Sequence, residues 1–388
     1  MSAVLETSGP YRRLLAEPVL RGLAVADICA RLPQGMVTIT LLLVAAAHAS
    51  MATAGLVVAC YTLGQAVTGP LRGRLADQHG LARVCRVCGG AYAVALACLV
   101  AGSLAGAPAG LLVTAGAAAG LAVPPLSPGM RSLWSAHAAA ALRQAAFALD
   151  AAVFDLAYIT GPVLASALAA GTAPAAAAGL LLALTGAAIF IIGPRSRPPA
   201  AGPVRARRPG LGPLNSAVLR RLLVTGALVN AALSATEVAL IAYVRHHHAL
   251  WASGPLLAEI SAGSIIGSLL LGARTTHRRL PRLLACYSAG LAALTAAGLC
   301  PPLLAVAAPL AGLCLGPSLA TLFGLASSAA PGGEGTEAQA WLNSVMNGGA
   351  AAGAALAAAT ASRPLLSLAL AAVAAAAAAA SSAFTGLG

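Results

Sequence analysis

The sequence predicts an all-α membrane protein whose twelve transmembrane helices form two pseudo-symmetric six-helix halves. Of the 388 residues, 59% are hydrophobic and 9% are charged, whereas about a quarter of the residues in a soluble domain are charged. The apolar residues form long runs, and a run of about 20 residues can cross the hydrocarbon core as a helix. A segment rich in Pro, Gly and Arg divides these runs near the middle of the chain.

The apolar runs define the predicted spans and domains. We predict a first bundle at residues 1–193, a cytoplasmic basic linker at 194–220 and a second bundle at 221–388. This layout is typical of a duplicated transporter whose pathway lies at the interface between the repeats. The predicted spans are residues 22–47, 52–71, 84–106, 109–129, 145–170, 174–193, 221–243, 254–273, 283–300, 303–329, 338–361 and 365–384.

The arginines predict the orientation of the chain. All 23 basic residues are arginine, and twenty of them precede the first span or lie in loops on its side of the membrane. Because basic residues are enriched in cytoplasmic loops, both termini are predicted to be cytoplasmic. Arg31 lies inside the first predicted span, where this topology does not explain it. The arginines lie between spans without a basic, aromatic-rich domain, so no nucleic acid partner is expected.

The loop between the second and third predicted spans contains Gly73, Asp77, Gly80 and Arg83. This pattern resembles the signature loop of the major facilitator superfamily, with Gln78 where a basic residue is usual. Together with the six-plus-six layout, the resemblance covers essentially the whole chain. It implies a transporter that works by rocking of two six-helix halves.

A conformational latch is the function that this resemblance implies for the loop. A carboxylate can accept hydrogen bonds from a helix N-terminus or pair with arginine. The candidate partners of Asp77 are Arg131, at the end of the fourth predicted span, and the start of the eleventh span. That start reads Thr336-Glu337-Ala338-Gln339, a capping-box pattern. The alternative is that Asp77 is a solvated loop acid.

Gly161 and Pro162 lie in the fifth predicted span, with small residues on both sides. The pair resembles the Gly-Pro stretch in the fifth span of exporter branches of the superfamily, including drug–proton antiporters, and therefore implies efflux. Proline is also tolerated in spans for other reasons. The fourth predicted span lacks the intramembrane arginine that is typical of drug–proton antiporters.

Asp27 and Arg31 form the first pair of charged residues predicted within the membrane. They are spaced i,i+4 and therefore share a helix face. Because intramembrane charge is costly, it is a candidate functional site by default. Asp27 is equally a proton carrier or a static partner of Arg31, and Arg31 is a candidate anchor for an anion.

The remaining intramembrane acids lie in the fifth, seventh and eighth predicted spans. Asp150 and Asp155 share the fifth span, Glu237 lies in the seventh and Glu259 in the eighth. A carboxylate withdrawn from water takes up a proton more readily. Asp155 and Glu237 have no opposite charge in their own spans, so we predict that they carry protons. Glu259 is close enough to the surface to be a solvated end residue.

Uncharged polar residues in the spans are candidates to contact a substrate, and Asn230 and Asn343 belong to this group. Hydrogen bonds between helices are the alternative for each of them, at about 0.6–2 kcal/mol per bond. The other candidates are Gln34, Thr38, Tyr61, Tyr158, Ser234, Trp341 and Asn347.

The predicted function is proton-coupled efflux of a small molecule across the bacterial cytoplasmic membrane by a monomer. Proton-coupled uptake of a metabolite and a non-transporting membrane sensor remain alternatives. The chain contains no lysine and therefore no nucleotide-binding P-loop. It also lacks the motifs of an intramembrane enzyme. No cofactor or metal is expected, because the single Cys85/Cys88 pair falls short of the four ligands that zinc needs.

Overall fold

In a computed structural model, all regular secondary structure of the described residues is helical. The described residues are 9–171, 173–196, 212–248, 253–271, 280–330 and 334–383. We call residues 9–196 the first part and residues 212–383 the second part. Most of the predicted central linker, at 197–211, and the basic loop at 272–279 lie outside the described residues.

The helices of the two parts are connected by short segments, so successive long helices run in opposite directions. In the first part they are α1 Pro10–Ala16, α2 Pro18–Ala46, α3 Met51–His79, α4 Leu81–Leu104, α5 Ala109–Ala122, α6 Leu126–His137, α7 Ala140–Gly171 and α8 Pro174–Arg195. In the second part they are α9 Ala217–His246, α10 Ser253–Leu270, α11 Leu280–Ala297, α12 Leu304–Gly312, α13 Leu315–Ala329, α14 Gly335–Ala359 and α15 Pro364–Ala383.

Ten helical segments of the described chain are long and apolar enough to cross a membrane. They are α2, α3, α4, α5 with α6, α7, α8, α9, α11, α12 with α13, and α15. The apolar helix Gly254–Leu270 is shorter. The all-α, multi-pass class predicted from the sequence is therefore confirmed, while the predicted spans at 254–273 and 338–361 are not among these ten.

Local sequence explains where several helices begin. Ser50 caps α3 by accepting a hydrogen bond from the Thr53 amide at 3.2 Å, and Ser216 caps α9 in the same way through the Leu219 amide at 3.2 Å. Serine is favoured at such positions because its side chain satisfies an otherwise free amide. Gly80 joins α3 to α4 with φ of +88°, a conformation that glycine adopts without steric cost.

A break at residues 123–125 separates α5 from α6. Pro124 and Pro125 lack amide hydrogens, and proline also disfavours helical geometry in the residue before it. The helix therefore stops at Ala122 and resumes at Leu126. The resumed helix continues to His137, beyond the predicted span end at 129, and Arg131 consequently lies within a helix rather than in a loop.

Glycines bring at least four helix pairs into backbone contact. A Cβ at each of these positions would overlap the main chain of the partner helix, and small residues of this kind allow close packing where lipid replaces water. The facing pairs are Gly35 with Ala157 (α2 and α7), Gly120 with Tyr61 (α5 and α3), Gly312 with Ile260 (α12 and α10), and Gly353 with Ala231 (α14 and α9).

The buried apolar side chains form three clusters. Two of them belong to the first part, and the third belongs to the second part together with Phe147, Ala148 and Ala151 of α7. The two parts meet where α3 and α6 pack on α14 and where α7 packs on α10 and α13. The space between these contacts is the location of the candidate site.

Candidate functional site

A cavity of about 730 Å³ lies between the two parts. Its wall includes residues of α2, α3, α6 and α7 from the first part and of α9, α10, α13 and α14 from the second. Six of the polar residues expected there contribute to the wall, namely Gln34, Tyr158, Asn230, Ser234, Asn343 and Asn347. Thr38, Tyr61 and Trp341 are not among the lining residues.

Two carboxylates line this cavity. Asp155 on α7 is 9% exposed, and its Oδ2 atom has no hydrogen-bond partner among the described residues. The Ser264 hydroxyl on α10 lies near this carboxylate and likewise has no hydrogen-bond partner among the described residues. Glu237 on α9 is exposed within the cavity. Glu259 is half-buried and lies outside the cavity wall.

Asp27 and Arg31 lie outside the cavity wall, in a buried ion-pair network between α2, α6 and α7. Arg31 Nε is 3.3 Å from Asp27 Oδ1, and its terminal nitrogens donate to Asp150 and to the Ser127 hydroxyl. Asp27 also accepts a hydrogen bond from the Trp134 indole at 3.4 Å. The side chains of Asp27, Arg31 and Asp150 are at most 1% exposed.

Arg131 of α6 completes this network and joins it to the second part. Its Nε lies 3.0 Å from Asp150 Oδ2, and its Nη1 donates to Asn343 Oδ1 of α14 at 2.7 Å. Its guanidinium carbon is 3.3 Å from the centre of the Phe323 ring of α13, which is a cation–π contact. The network thus contains two carboxylates and two guanidinium groups, so its formal charges cancel.

Sequence reasoning recognised Asp150 as an intramembrane acid but assigned it no role. Its two arginine partners are 119 and 19 residues away in the sequence, so no local spacing reveals the pairs. Arg31 is also not the single arginine within the bundle. Arg72 of α3 is 6% exposed and Arg131 is 1% exposed, because both helices extend beyond the predicted span ends.

We call the end of the bundle where α3 ends and α14 begins the Asp77 end. Asp77 Oδ1 accepts a hydrogen bond from the Thr336 amide at 3.1 Å, and Oδ2 accepts one from the Glu337 amide at 2.8 Å. The carboxylate therefore meets the positive end of the α14 dipole. Arg74 Nε lies 3.3 Å from Glu337 Oε2 beside this contact.

The glycines of the signature loop have distinct structural roles. A Cβ at Gly73 would come within 2.9 Å of the Glu337 Cα and the Thr336 carbonyl, so this glycine lets α3 approach α14. Gly80 makes the turn into α4, and Arg83 is exposed at the start of that helix. No hydrogen bond or ion pair joins Arg83 to another described residue.

The expected pairing of Asp77 with Arg131 is wrong. Arg131 lies six residues before the end of α6, and its guanidinium is directed into the bundle, where Asp150 and Asn343 bind it. Of the two predicted partners of Asp77, the structure shows contact with the start of α14 only. The sequence placed Arg131 at a loop because the predicted span ends at residue 129, whereas α6 continues to His137.

Seven hydrogen bonds between described residues join the first part to the second part. Three involve the amides or side chain of Thr336 and Glu337, and a fourth is the bond between Arg131 and Asn343. The other three are Tyr11 to the Ser268 carbonyl, Gln144 to Thr321, and Ser344 to the Ala66 carbonyl. Three of the seven bonds lie at the Asp77 end itself, where they hold the start of α14 against α3.

Gly161 and Pro162 lie near the middle of α7. A Cβ at Gly161 would overlap the backbone at Gly35, so this glycine contributes to the close crossing of α2 and α7. Pro162 lines the cavity. The pair therefore shapes the wall beside Asp155, and no charged group belongs to it.

Comparisons with known proteins agree with this architecture. The crystal structure of the human organic anion transporter MFSD10 is 15% identical, with a TM-score of 0.74 and coverage of 97% of this chain and 100% of that chain. A bacterial homologue of the iron transporter ferroportin in an outward-facing state is 14% identical, with a TM-score of 0.76 and coverage of 95% and 98%. The Escherichia coli fucose:proton symporter FucP is 13% identical, with a TM-score of 0.73 and coverage of 95% and 98%.

Sequence identities at this level support a shared fold and no more. No curated protein sequence matches this chain. The family follows instead from the sequence itself, because the profile of the Major Facilitator Superfamily matches residues 23–354. This match covers most of the chain, including α3, the Asp77 contact and the helices that line the cavity. The chain is therefore a multi-pass membrane protein that belongs to the Major Facilitator Superfamily.

Proposed function

We propose that the protein is a secondary transporter that exports a small molecule across the bacterial cytoplasmic membrane in exchange for protons. The observation that carries this proposal is the unpaired, buried carboxylate of Asp155 in the wall of a cavity between the two parts. Members of the superfamily move small substrates across membranes, often together with protons. The coupling ion and the direction are our own inference.

Twelve spans in two six-helix halves are part of this proposal. The helices α10 and α14 add the eighth and eleventh spans to the ten apolar segments. Glycine contacts support an internal duplication, since they join the first and fifth spans as well as the seventh and eleventh. They also join the second and fourth spans as well as the eighth and tenth. Equivalent pairs recur six spans apart, as expected for repeats that rock against each other.

The orientation follows from the arginines and from the closed end. We place the Asp77 end in the cytoplasm, because twenty of the 23 arginines are assigned to that side. Because the start of α14 is hydrogen-bonded to α3 at this end, we assign the conformation as closed to the cytoplasm and facing outward. In this proposal Asp77, Gly73 and the start of α14 form the latch that must open during transport.

Exchange of the ligand for a proton follows from the chemistry of an unpaired carboxylate. Asp155 can be neutralised by a proton or by a cationic group of a ligand, and the two cannot occupy the same oxygen atoms together. Competition of this kind couples the entry of a proton to the exit of the ligand. Glu237 lies in the same cavity and is the second candidate carrier. Arg31 is removed as an anchor for an anionic substrate, because two carboxylates already bind it.

The proposal can be tested by expression in an efflux-deficient bacterial host. We expect resistance to, and reduced accumulation of, at least one compound in a panel of drugs and metabolites. Asp155→Asn and Glu237→Gln should abolish the effect at unchanged protein level. Glu259→Gln is the matched control, since Glu259 lies outside the cavity wall, and it should retain activity.

Transport assays with the purified protein in proteoliposomes distinguish proton coupling from ligand binding. For a compound identified in the cells, an imposed pH gradient should drive transport by the native chain but not by Asp155→Asn. Transport that is indifferent to the pH gradient would contradict proton coupling. Increased retention of a nutrient would instead indicate uptake, and a growth effect that persists in Asp155→Asn without transport would indicate a sensor.

A further inference from the structure

Arg72 is a buried cation in the wall of the same cavity, and no carboxylate of the described chain pairs with it. It is 6% exposed and lines the cavity. The four ion pairs found among the described residues involve Arg31, Arg74 and Arg131. A buried charge is costly unless it is paired and hydrogen-bonded, so the position of Arg72 requires an explanation.

Three backbone carbonyls hold the Arg72 guanidinium in place. Nε donates to the Thr68 carbonyl at 3.3 Å, Nη2 donates to the Gln65 carbonyl at 2.9 Å, and Nη1 donates to the Val123 carbonyl at the break after α5. The side chain therefore runs back along α3 towards the cavity. A guanidinium has five N–H donors, which leaves two that can bind a ligand.

Capping of α5 is the alternative explanation for Arg72. The end of a helix carries a partial negative charge of about one half, which favours a nearby cation. Capping accounts for the bond to the Val123 carbonyl. It leaves part of the positive charge without compensation, and it does not explain why the group faces a cavity. A ligand with an anionic group explains both features.

Arg72 and Asp155 line the same cavity from two different helices, α3 and α7. The helices α3 and α7 both pack against α2, and α3 also contacts α14 whereas α7 contacts α10. With about 8–10 Å between the axes of packed helices, α3 and α7 are separated by up to about 20 Å. The two charged groups are therefore presented to the cavity by two different helices that both pack against α2.

We infer that the transported molecule is a zwitterion whose anionic group binds Arg72 and whose cationic group binds Asp155. A carboxylate is the anion that best matches the planar donors of a guanidinium. The rings of Phe154 and Tyr158 line the space beside Asp155 and suit an aromatic or apolar body between the charges. The Asp155 contact rests on the proposed function, whereas the Arg72 contact does not.

Three forms of one fluorescent compound test this inference by equilibrium binding to the purified full-length chain. The probe is a quinolone carboxylic acid with a piperazine ring, whose opposite charges lie at the two ends of a rigid body. Its methyl ester is a cation only, and its N-acetyl derivative is an anion only. We expect the zwitterion to bind at least ten-fold more tightly than either derivative.

Variants assign each charge to its residue. Arg72→Gln should weaken binding of the zwitterion to the level of the ester and leave the affinity for the ester unchanged. Asp155→Asn should weaken binding of the zwitterion to the level of the N-acetyl derivative and leave the affinity for that derivative unchanged. Arg72→Lys keeps the charge and should keep the preference for the zwitterion. Arg74→Gln, which alters an arginine outside the cavity wall, is the matched control and should bind all three forms like the native chain.

Equal affinity for the acid and the ester, or equal weakening of both by Arg72→Gln, would overturn the inference. Absence of binding by all three forms would also overturn it, because recognition is assigned to the two charges alone. If Arg72→Gln fails to fold, Arg72→Lys decides: loss of the zwitterion preference in this folded variant contradicts the assignment. Each of these outcomes leaves pH-driven export to be judged by its own assay.

Discussion

Asp150 and Asp155 lie five residues apart on α7, about 7.5 Å along the helix axis, but their surroundings differ. Asp150 is fully buried and binds the guanidinium groups of Arg31 and Arg131. Asp155 faces the cavity, and one of its oxygen atoms has no hydrogen-bond partner among the described residues. The comparison separates a carboxylate with a structural role from one that can exchange its partner.

The difference arises from the reach of two arginines. Arg31 on α2 and Arg131 on α6 both reach Asp150, and each binds one of its two carboxylate oxygens. Arg31 also donates to Asp27 and Ser127. One turn further along α7, no arginine of the described chain forms an ion pair with Asp155. A buried acid that lines the cavity is therefore a candidate carrier when no arginine pairs with it.

The largest expected effect is loss of stability in Asp150→Asn. This change leaves Arg31 with one carboxylate partner and Arg131 with none, and breaking a buried ion pair costs about 3–5 kcal/mol. We expect a markedly lower melting temperature in detergent, measured by fluorescence-detected size-exclusion chromatography. Asp155→Asn is the matched control and should melt like the native chain, because it removes no ion pair. Equal destabilisation by both changes would contradict the distinction between the two carboxylates.

An intermediate effect is expected for Asn343→Ala. This change removes the acceptor of the Arg131 bond across the two parts while the pair with Asp150 stays intact. A hydrogen bond to a charged group contributes about 1.5–3 kcal/mol, and 1.4 kcal/mol is a ten-fold change in an equilibrium. We therefore expect at least a ten-fold shift towards states that are open at the Asp77 end.

Spin labels can measure this shift. Arg83 and Arg220 are exposed near the Asp77 end on different parts of the chain, and they can be labelled as cysteines after the eight native cysteines are replaced. Asn343→Ala should lengthen the distance between the labels. Asn347→Ala, one turn away on α14, is the control and should leave it unchanged. An unaltered distance in Asn343→Ala would show that the Arg131 bond does not hold the parts together.

The smallest effect is expected for Arg74→Ala. The Arg74 side chain is 40% exposed, although Glu337 is 5% exposed. Surface ion pairs contribute less than about 1 kcal/mol. The melting temperature and the label distance should change little, in contrast to Asn343→Ala. A shift as large as that of Asn343→Ala would mean that the outer ion pair, rather than the buried network, dominates closure.

The sequence predicted the features that depend on local patterns. Apolar runs located the ten segments that can cross a membrane, and the loop around Asp77 predicted its contact with the start of α14. The predicted capping box is wrong, because α14 begins at Gly335 and the Gln339 side chain donates to the Phe323 carbonyl and to Ser327. Asp155 and Glu237 were recognised as acids without a local counter-charge, and both line the cavity. These features can be read from spacing along one helix or from a short motif.

The buried network could not be predicted in the same way. Only the pair of Asp27 and Arg31 has a helical spacing, whereas Arg131 meets Asp150 through the packing of α6 on α7. Arg72 and Arg131 were assigned to loops because apolar runs end before the helices do. A long arginine side chain can lie within a bundle if its charge is bound there, and no spacing rule reveals that partner.

The positions of Arg72 and Asp155 have a consequence for the mechanics of transport. Both residues belong to the first part, and the Arg72 guanidinium is bound to the Val123 carbonyl at the proline break after α5. A zwitterion bound at both ends would therefore stay attached to the first part throughout transport. The second part contributes amides, hydroxyls and Glu237 to the wall. It would then move relative to the ligand-bound first part and open or close access to the cavity.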